Sequence, residues 1–549
     1  MKALSLPSRA QTLTNLQEQQ KQTLHELKSN IKQIATERIG TILILLANFA
    51  MITLLCVSHT IDFEIIAKRN VPELKGHEKD VEALLGDYSD YYISLDKDKN
   101  YIDHTISDIQ DGDDIYLLIP DNVSEKNLVI DFNTSWDEYL TSYKCDFTKN
   151  SVYTVKNKNI HLLKSNMQFL YLDVDADEFN DMNSAEKKTD MEVAAIASSR
   201  STQEYAAVLK PRGSASWNMY NRKPYTLKFA EKNNMFGLGN YKKYNLLSNS
   251  TDKTLLKDEI FFDLARNMDL DYTPRVKNVN LIINGTYKGV YTVSTKIDVK
   301  KSLVDLKTGD FLISWEAPNC SNKIEIDCDF WLDDDPDAGT YIDLVWPETG
   351  ATDSSTNSLV HKKVQEFIDV LEGRKEGNLS DYIDLTSFAK YYWIEEISLN
   401  GDAWSRSNYT YYKADEGKFY AGPVWDFEWA LGSKLEKDGY RFSSPEGWVI
   451  RNSGYFKQLF KHKEFVKEVE RIYNTYDMES LMHESYENYC KRAENLSVEG
   501  NANFIEGAEE FNWYDFDYGI VDSYEDFVRY KTDFYKQRIE WIVNEQKGV

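Results

Sequence analysis

The run Ile39–Val57 reads IGTILILLANFAMITLLCV, 19 residues without a charged side chain. A helix needs roughly 20 mainly apolar residues to cross the hydrocarbon layer of a bilayer. A soluble helix of five turns ordinarily carries charge on its wet face, and this run has none. A single transmembrane helix at 39–57 is therefore expected. The run starts after 38 residues and exceeds the usual apolar core of a signal peptide, so it reads as an uncleaved anchor. Residues 1–38 carry six Lys/Arg against three Glu. By the positive-inside bias they stay in the cytoplasm, which puts the large C-terminal part outside. Leu and Ile at loose helical spacing in 12–38 suit a juxtamembrane helix. Residues 12–57 are thus a candidate for self-association.

Beyond the anchor the chain has the means to fold. Its 549 residues include 36 Tyr, 25 Phe and 12 Trp, and 42% are hydrophobic, which argues against extended disorder. The formal charge is −26. Such a surface repels phosphate backbone, so no nucleic-acid partner is expected. The five Cys show neither CxxC nor Cys/His zinc spacing and read as free thiols.

Residues 58–100 read as a linker. Short alternating runs such as Asp114-Ile-Tyr-Leu-Leu-Ile-Pro and Leu128-Val-Ile-Asp-Phe predict a small β-rich domain over 101–175. Residues 176–200 are charged and Ser-rich and read as an exposed loop. A large domain is expected over 200–545. Its first part predicts strands at Tyr205–Leu209, Tyr225–Phe229, Asn278–Ile283 and Gly289–Ser294, and a helix at Lys253–Met268. After residue 355 helices dominate, notably Leu359–Leu371 and Leu385–Ile397, with a hairpin of Tyr409–Tyr412 and Phe419–Trp425 between them and the tail. A sheet-rich part followed by a helical part is an α+β arrangement.

The chemistry concentrates in Asn400-Gly-Asp-Ala-Trp-Ser-Arg-Ser-Asn408 and Gly422-Pro-Val-Trp-Asp-Phe-Glu428. Asp402 follows a predicted helix, Asn408 opens a strand, and Asp426 ends the next one. Asp and Asn oxygens are hard ligands suited to Mg²⁺. Phosphoryl transfer needs a carboxylate to orient the attacking hydroxyl, and an Asn and a second Asp to hold metal on the phosphates. Asp402, Asn408 and Asp426 repeat the order of a kinase HRD-x4-N loop and DFG turn, with one extra residue before the Asn and no His-Arg before the Asp. Asp and Asn are also ordinary turn and cap residues. Asp426 and Glu428 alone would also suit a carboxylate-pair glycoside hydrolase. A second cluster, Lys210-Pro-Arg-Gly-Ser-Ala-Ser-Trp217, leads into Lys223-Pro-Tyr-Thr-Leu-Lys-Phe229. A Gly/Ser turn offers backbone N–H groups to phosphate, and a strand Lys beyond it could reach the same group.

Together these segments resemble the spore-coat CotH kinase family. The matching pieces are Arg212-Gly-x-x-Ser-Trp217, Lys223-x-Tyr-x-Leu-Lys-Phe229 and Leu247-x-Asn-x-x-Asp-Lys-x-x-Leu-Lys257. Thr273-Pro-Arg275, Asn284-Gly-x-Tyr-x-Gly-Val-Tyr291 and Lys296-Ile-Asp298 follow. Asn400-x-Asp402 and Gly422-Pro-Val-Trp-Asp-Phe-Glu428 complete the set, in family order. The resemblance implies an atypical protein-kinase-like fold, use of ATP with Mg²⁺ or Mn²⁺, and phosphorylation of protein Ser/Thr hydroxyls, including autophosphorylation. It implies Asp402 as the catalytic Asp, Asp426 as the metal-binding Asp and Asn408 as a second metal ligand. Lys228 matches the phosphate-contacting Lys, with Lys223 next, and Arg212 and Ser214 lie in the matching turn. Some positions depart from the family pattern: Ser214-Ala215-Ser216 replaces Asn-Ser-Thr, Thr295 stands where Glu is frequent, and Glu428 replaces Asp. These departures leave a non-catalytic surface or scaffolding module as the alternative.

Overall fold

The computed structural model describes residues 74–76, 79, 91–95, 108–111, 113–121, 125, 128–133, 140–155, 158–184, 191–198, 202–213, 215–284, 286–299, 302–316, 323–330, 339–347, 354–432, 444–506 and 523–547. The expected anchor at 39–57 and the segment 1–38 lie outside the described residues. Among the described residues no helix is long and apolar enough to cross a membrane.

The chain divides into two compact units, the first ending at Leu162 and the second beginning at Leu163, apart from residues 109–111, which group with the second. The first unit contains strands β1 (Tyr91–Leu95), β3 (Asp114–Pro120), β4 (Leu128–Asn133), β5 (Leu140–Cys145), β6 (Val152–Val155) and most of β7 (Lys158–Ser165), and the boundary cuts β2 (Asp108–Asp111) after Asp108. They form two sheets, β1-β4-β5 and β2-β3-β7-β6. Alternate residues of β3, Ile115, Leu117 and Ile119, point into a core with Tyr143, Tyr153 and Ile160, as a half-buried strand requires.

The second unit opens with a closed barrel. Its strands are β8 (Gln168–Asp173), β9 (Met191–Ser198), β10 (Thr202–Pro211), β11 (Tyr225–Asn233), β12 (Tyr241–Leu247), β13 (Val276–Ile283) and β14 (Thr286–Thr295), in the order β10-β11-β12-β14-β13-β8-β9. β8 falls within the segment 101–175 in sequence, yet it pairs with β9 and β13 of the barrel. The expected loop at 176–200 is instead helix α1 (Ala176–Ser184) followed by β9. Its run Met191-Glu-Val-Ala-Ala-Ile-Ala-Ser is weakly patterned, and ladders to both β8 and β10 make it a strand. Leu209, Leu227, Phe229, Tyr244, Leu281 and Val293 fill the barrel interior.

Helices α2 (Ala215–Met219) and α3 (Lys257–Asn267) interrupt the barrel sequence. A five-stranded sheet follows, ordered β16-β17-β15-β18-β19, from β15 (Phe311–Glu316), β16 (Lys323–Ile326), β17 (Thr340–Trp346), β18 (Asn408–Lys413) and β19 (Lys418–Ala421). The expected hairpin is thus the edge of a larger sheet. Around it lie α4 (Ser354–Leu371), α5 (Leu385–Ser398), α6 (Phe456–Leu459), α7 (Lys463–Thr475), α8 (Met478–Asn495), α9 (Ser497–Glu506) and α10 (Tyr524–Lys547).

Helix α5 is the centre of this half. Asp384 caps it by accepting the Ser387 N–H at 2.7 Å. It is apolar nearly all round, with Phe388, Ala389, Tyr391, Tyr392, Trp393, Ile394 and Ile397 all buried. Two carboxylates are buried with them, Glu395 and Glu396, each at 0% exposure. Glu396 meets Arg538 of α10, also at 0%, at 2.7 Å. The same carboxylate accepts the N–H groups of Val449 at 2.9 Å and Arg451 at 2.7 Å. Arg538 spends its other donors on the carbonyls of Glu396, Pro445 and Gly447. Cutting one side of such a pair leaves a buried charge uncompensated. Arg538→Met is therefore expected to lower the unfolding free energy by about 3–5 kcal/mol in urea denaturation, with Glu396→Gln/Arg538→Met recovering part of that loss.

Candidate active site

The first turn of α3 grips the segment Asp426-Phe427-Glu428. The helix begins at Lys257, four residues later than its apolar spacing predicts, because Asp252 folds back on the chain. Its carboxylate accepts the N–H groups of Thr254 at 3.1 Å, Leu256 at 3.0 Å and Lys257 at 2.8 Å. Those are the donors that a helix start leaves unsatisfied. Lys257 and Asp258 are thereby aimed at the segment. The Lys257 Nζ donates to the Glu428 carbonyl at 2.6 Å, and the Phe427 N–H donates to Asp258 Oδ1 at 2.9 Å. Phe427 packs between Phe261 and Phe262, with centroids 5.2 and 5.6 Å away.

Asp426 does not end a strand, as its sequence context predicts. β19 stops at Ala421, because Pro423 has no N–H to donate to a ladder. Asp426 itself adopts left-handed geometry, φ 66° and ψ 62°, and a single 3₁₀ turn, Phe427–Trp429, follows it. Left-handed geometry is uncommon for a residue with a Cβ and is found where surroundings over-determine it. Here the α3 contacts supply that constraint.

The loop after α5 brings the second aspartate. Leu399 turns the chain off the helix in left-handed geometry, φ 50°. Asn400 and Asp402 follow, and Ser407 then donates to Asp426 Oδ2 at 3.1 Å. The Arg406 N–H returns to the Asp402 carbonyl at 2.9 Å, so the same short loop that carries Asp402 reaches Asp426 through Ser407. Arg212 joins from the end of β10. Its Cζ lies 5.5 Å from the Trp425 ring centroid, and its charge acts on Asp426, Glu428 and Asp258.

The electrostatics are those of crowded carboxylates. Asp426 and Glu428 are half-buried as residues, with desolvated carboxyl ends. Burial pushes Asp426 up, opposed by Arg212 and the Ser407 hydrogen bond. Burial and then Asp426 push Glu428 up to about 7, although Thr251 donates to it at 2.5 Å. Asp258 is held well above the ordinary carboxylate range by burial, then by Glu428 and Asp426. Three acidic groups thus share Arg212 as counter-charge.

Asn408 is fully buried, and both ends of its carboxamide are spent on protein. Its Nδ2 donates to the Ala403 carbonyl at 2.6 Å and its Oδ1 accepts from Tyr455 at 3.1 Å. This bracing of the loop argues against a metal-ligand role. Lys223 donates to the Trp217 carbonyl at 2.5 Å and stacks on the Trp217 ring, which argues against a phosphate contact. Lys228 is exposed on β11, between buried Leu227 and Phe229. Its cross-strand neighbour is Lys243, whose charge is matched by Asp298. Ser214 lies outside the described residues. Asp258, Lys257, Thr251 and Glu395 were not singled out from sequence. Lys257 did lie in the Leu247–Lys257 motif, without a role attached to it.

Among the described residues no three His, Cys, Asp or Glu side chains form a metal cage. The donor set nevertheless fits a hard divalent cation. Asp426 sits among crowded acidic groups, and Mg²⁺ is commonly bound through one or two carboxylates with phosphate oxygens and water completing the shell. Asp426 would hold such an ion.

Glu395 gives this region a pH signature. Burial pushes it from 4.5 up to about 8, opposed first by the Asn400 hydrogen bond and then by the nearby Tyr391 phenol. A carboxyl with a raised folded value is charged more readily in the unfolded chain, so its contribution to stability falls as pH rises from about 4.5 to about 8. Glu395→Gln removes that loss. Urea denaturation across this range should show the variant gaining on the wild type as pH rises, with a constant difference below pH 4.

Among known proteins, no curated protein matches this chain. The family model described as CotH kinase protein matches residues 209–542, from the end of β10 to the last turns of α10. That span contains Arg212, α3, the Asp402 loop and the Asp426 turn, and its mixed α+β architecture fits a CotH kinase-like fold. On a match covering well over half its length, the chain belongs to the CotH kinase family.

Proposed function

We propose that the protein is a protein kinase that transfers the γ-phosphoryl group of ATP to Ser or Thr hydroxyls, including its own, with Mg²⁺ or Mn²⁺. The observation that carries this reading is that the loop carrying Asp402 hydrogen-bonds Asp426 through Ser407 at 3.1 Å, the carboxyl of Asp426 being desolvated. A divalent ion held there supplies charge neutralisation to the phosphates when bound. Asp402, half-buried in a loop, orients the acceptor hydroxyl and takes its proton. Asp426 is held by Ser407 and by the α3 contacts to its neighbours, so it needs little reorganisation. Arg212, beside it, limits the repulsion among the acidic groups. Lys228 contacts the phosphates from β11.

With labelled ATP and Mg²⁺ or Mn²⁺, the wild-type protein should label itself, and Asp426→Ala should fall to background. Asp402→Asn should slow transfer by about 10²–10⁴-fold, the range for losing a positioned general base. Equal labelling by wild type and Asp426→Ala would remove the kinase reading. An ATP-dependent thermal shift without any transfer would favour the non-catalytic module.

The same reading anchors the enzyme by a single span at 39–57, with residues 1–38 in the cytoplasm and the catalytic domain outside the cell. Protease added to intact cells should then digest the domain and leave the N-terminal segment protected. A domain protected until the cells are lysed would reverse the orientation.

A further inference from the structure

We propose that Glu395 is a positioning residue for the Asp402 loop, acting on Asp402 through Asn400. The proposal rests on the reading of Asp402 as the group that orients the acceptor hydroxyl.

The link is a chain of two side-chain hydrogen bonds. The Asn400 Nδ2 donates to Glu395 Oε2 at 3.1 Å. The Asn400 Oδ1 accepts the Asp402 N–H at 3.3 Å. A third bond closes the turn, from the Asn400 N–H to the Glu395 carbonyl at 3.3 Å. Glu395 and Asn400 are each at 0% exposure, so water does not compete for these partners. The carboxamide of Asn400 is therefore a rigid spacer between the last turn of α5 and the backbone of Asp402.

Glu395 lacks the counter-charge that its neighbour has. Its neighbour Glu396 is matched by Arg538 and by two backbone donors. Among the described residues, no cation forms an ion pair with Glu395. The groups facing it are the phenols of Tyr391 and Tyr455 and the carboxylates of Asp402 and Asp426. A buried carboxyl costs stability unless it is hydrogen-bonded, and the side chain that bonds Glu395 is Asn400. The end that the geometry offers is the fixed direction of Asn400, and through it the start of the Asp402 loop. Catalytic geometry is sensitive at this level, since a misplacement of about 1 Å can cost on the order of 100-fold in rate.

The test uses the full-length protein and two readouts. Amide hydrogen exchange of residues 399–407 reports the loop without requiring chemistry. Steady-state transfer from ATP reports its consequence. Glu395→Leu should speed exchange in this loop and lower kcat by about 10–100-fold, with KM for ATP changed less than about twofold. Glu395→Gln keeps an acceptor for Asn400 and should restore both readouts. Asn400→Ala should reproduce Glu395→Leu, and it carries the same test if the Leu variant does not fold. The double variant should be no worse than either single one.

Unchanged loop exchange in a folded Glu395→Leu or Asn400→Ala protein would overturn the proposal. So would a Gln variant as impaired as the Leu variant. If the wild type transfers no phosphate, the kinase reading fails, and the exchange experiment still decides whether Glu395 holds the loop.

Discussion

Two adjacent carboxylates buried in helix α5 set the terms for the rest of the kinase-like domain. Removing one such charge from water costs several kcal/mol even after relaxation. Glu396 meets that cost with a counter-charge: Arg538 reaches it from α10, about 140 residues along the chain, and the backbone of Val449 and Arg451 completes its shell. The pairing pins α10 and the 444–452 segment to α5. Glu395 meets the cost differently, by remaining a neutral hydrogen-bonding group over much of the physiological range. One helix thereby ties the C-terminal half together with one carboxylate and reaches the Asp402 loop with the next.

The site depends on that fixed helix from two directions. From its C-terminal end the chain passes through left-handed Leu399 and Asn400 into Asp402. Across from it, the Leu431 N–H donates to the Ser398 carbonyl at 2.9 Å, so the segment after Asp426 closes on the same helix end. The α3 contacts then hold Phe427 and Glu428 from the other side. The left-handed geometry of Asp426 is the local cost of this arrangement. It turns a strand exit into a short 3₁₀ turn within reach of Ser407.

Much of this was legible in the sequence, for physical reasons that differ from element to element. The strands Tyr225–Phe229 and Asn278–Ile283 follow clear apolar patterns that the barrel interior demands, and α5 follows from a dense apolar run. The aspartates could be named because metal and phosphate chemistry restricts residue type. β9 could not be read as a strand, since its small residues acquire their conformation from two neighbouring ladders. Residues 311–346 supply three strands of the second sheet, and no reading of the sequence placed them. The start of α3 departs from the apolar spacing because Asp252 acts as a cap across five residues, which that spacing does not encode. Asn408 and Lys223 have the right residue types, but each meets a protein partner that only tertiary structure brings near. Glu395 was invisible for the opposite reason: a charged residue inside an apolar helix carries no motif, and its burial is what gives it meaning.

The dependence of the site on α10 explains why the domain extends so far beyond its motifs. The last motif ends at Glu428, yet the family match continues to residue 542. Helix α10 provides Arg538 to Glu396 and sends the fully buried Lys531 to the Leu431 carbonyl at 2.9 Å. Its Phe534 lies so close to Gly432 that a Cβ there would sit 2.4 Å from the ring, and Gly432 also needs φ 76°. Its Tyr535 stacks edge-on against Phe261, which in turn packs on Phe427. The turn carrying Asp426 is thus enclosed by α3 on one side and by α10 behind it. A chain cut after Glu428 would keep every sequence signature of phosphoryl transfer and lose the packing that holds Asp426 in its left-handed turn.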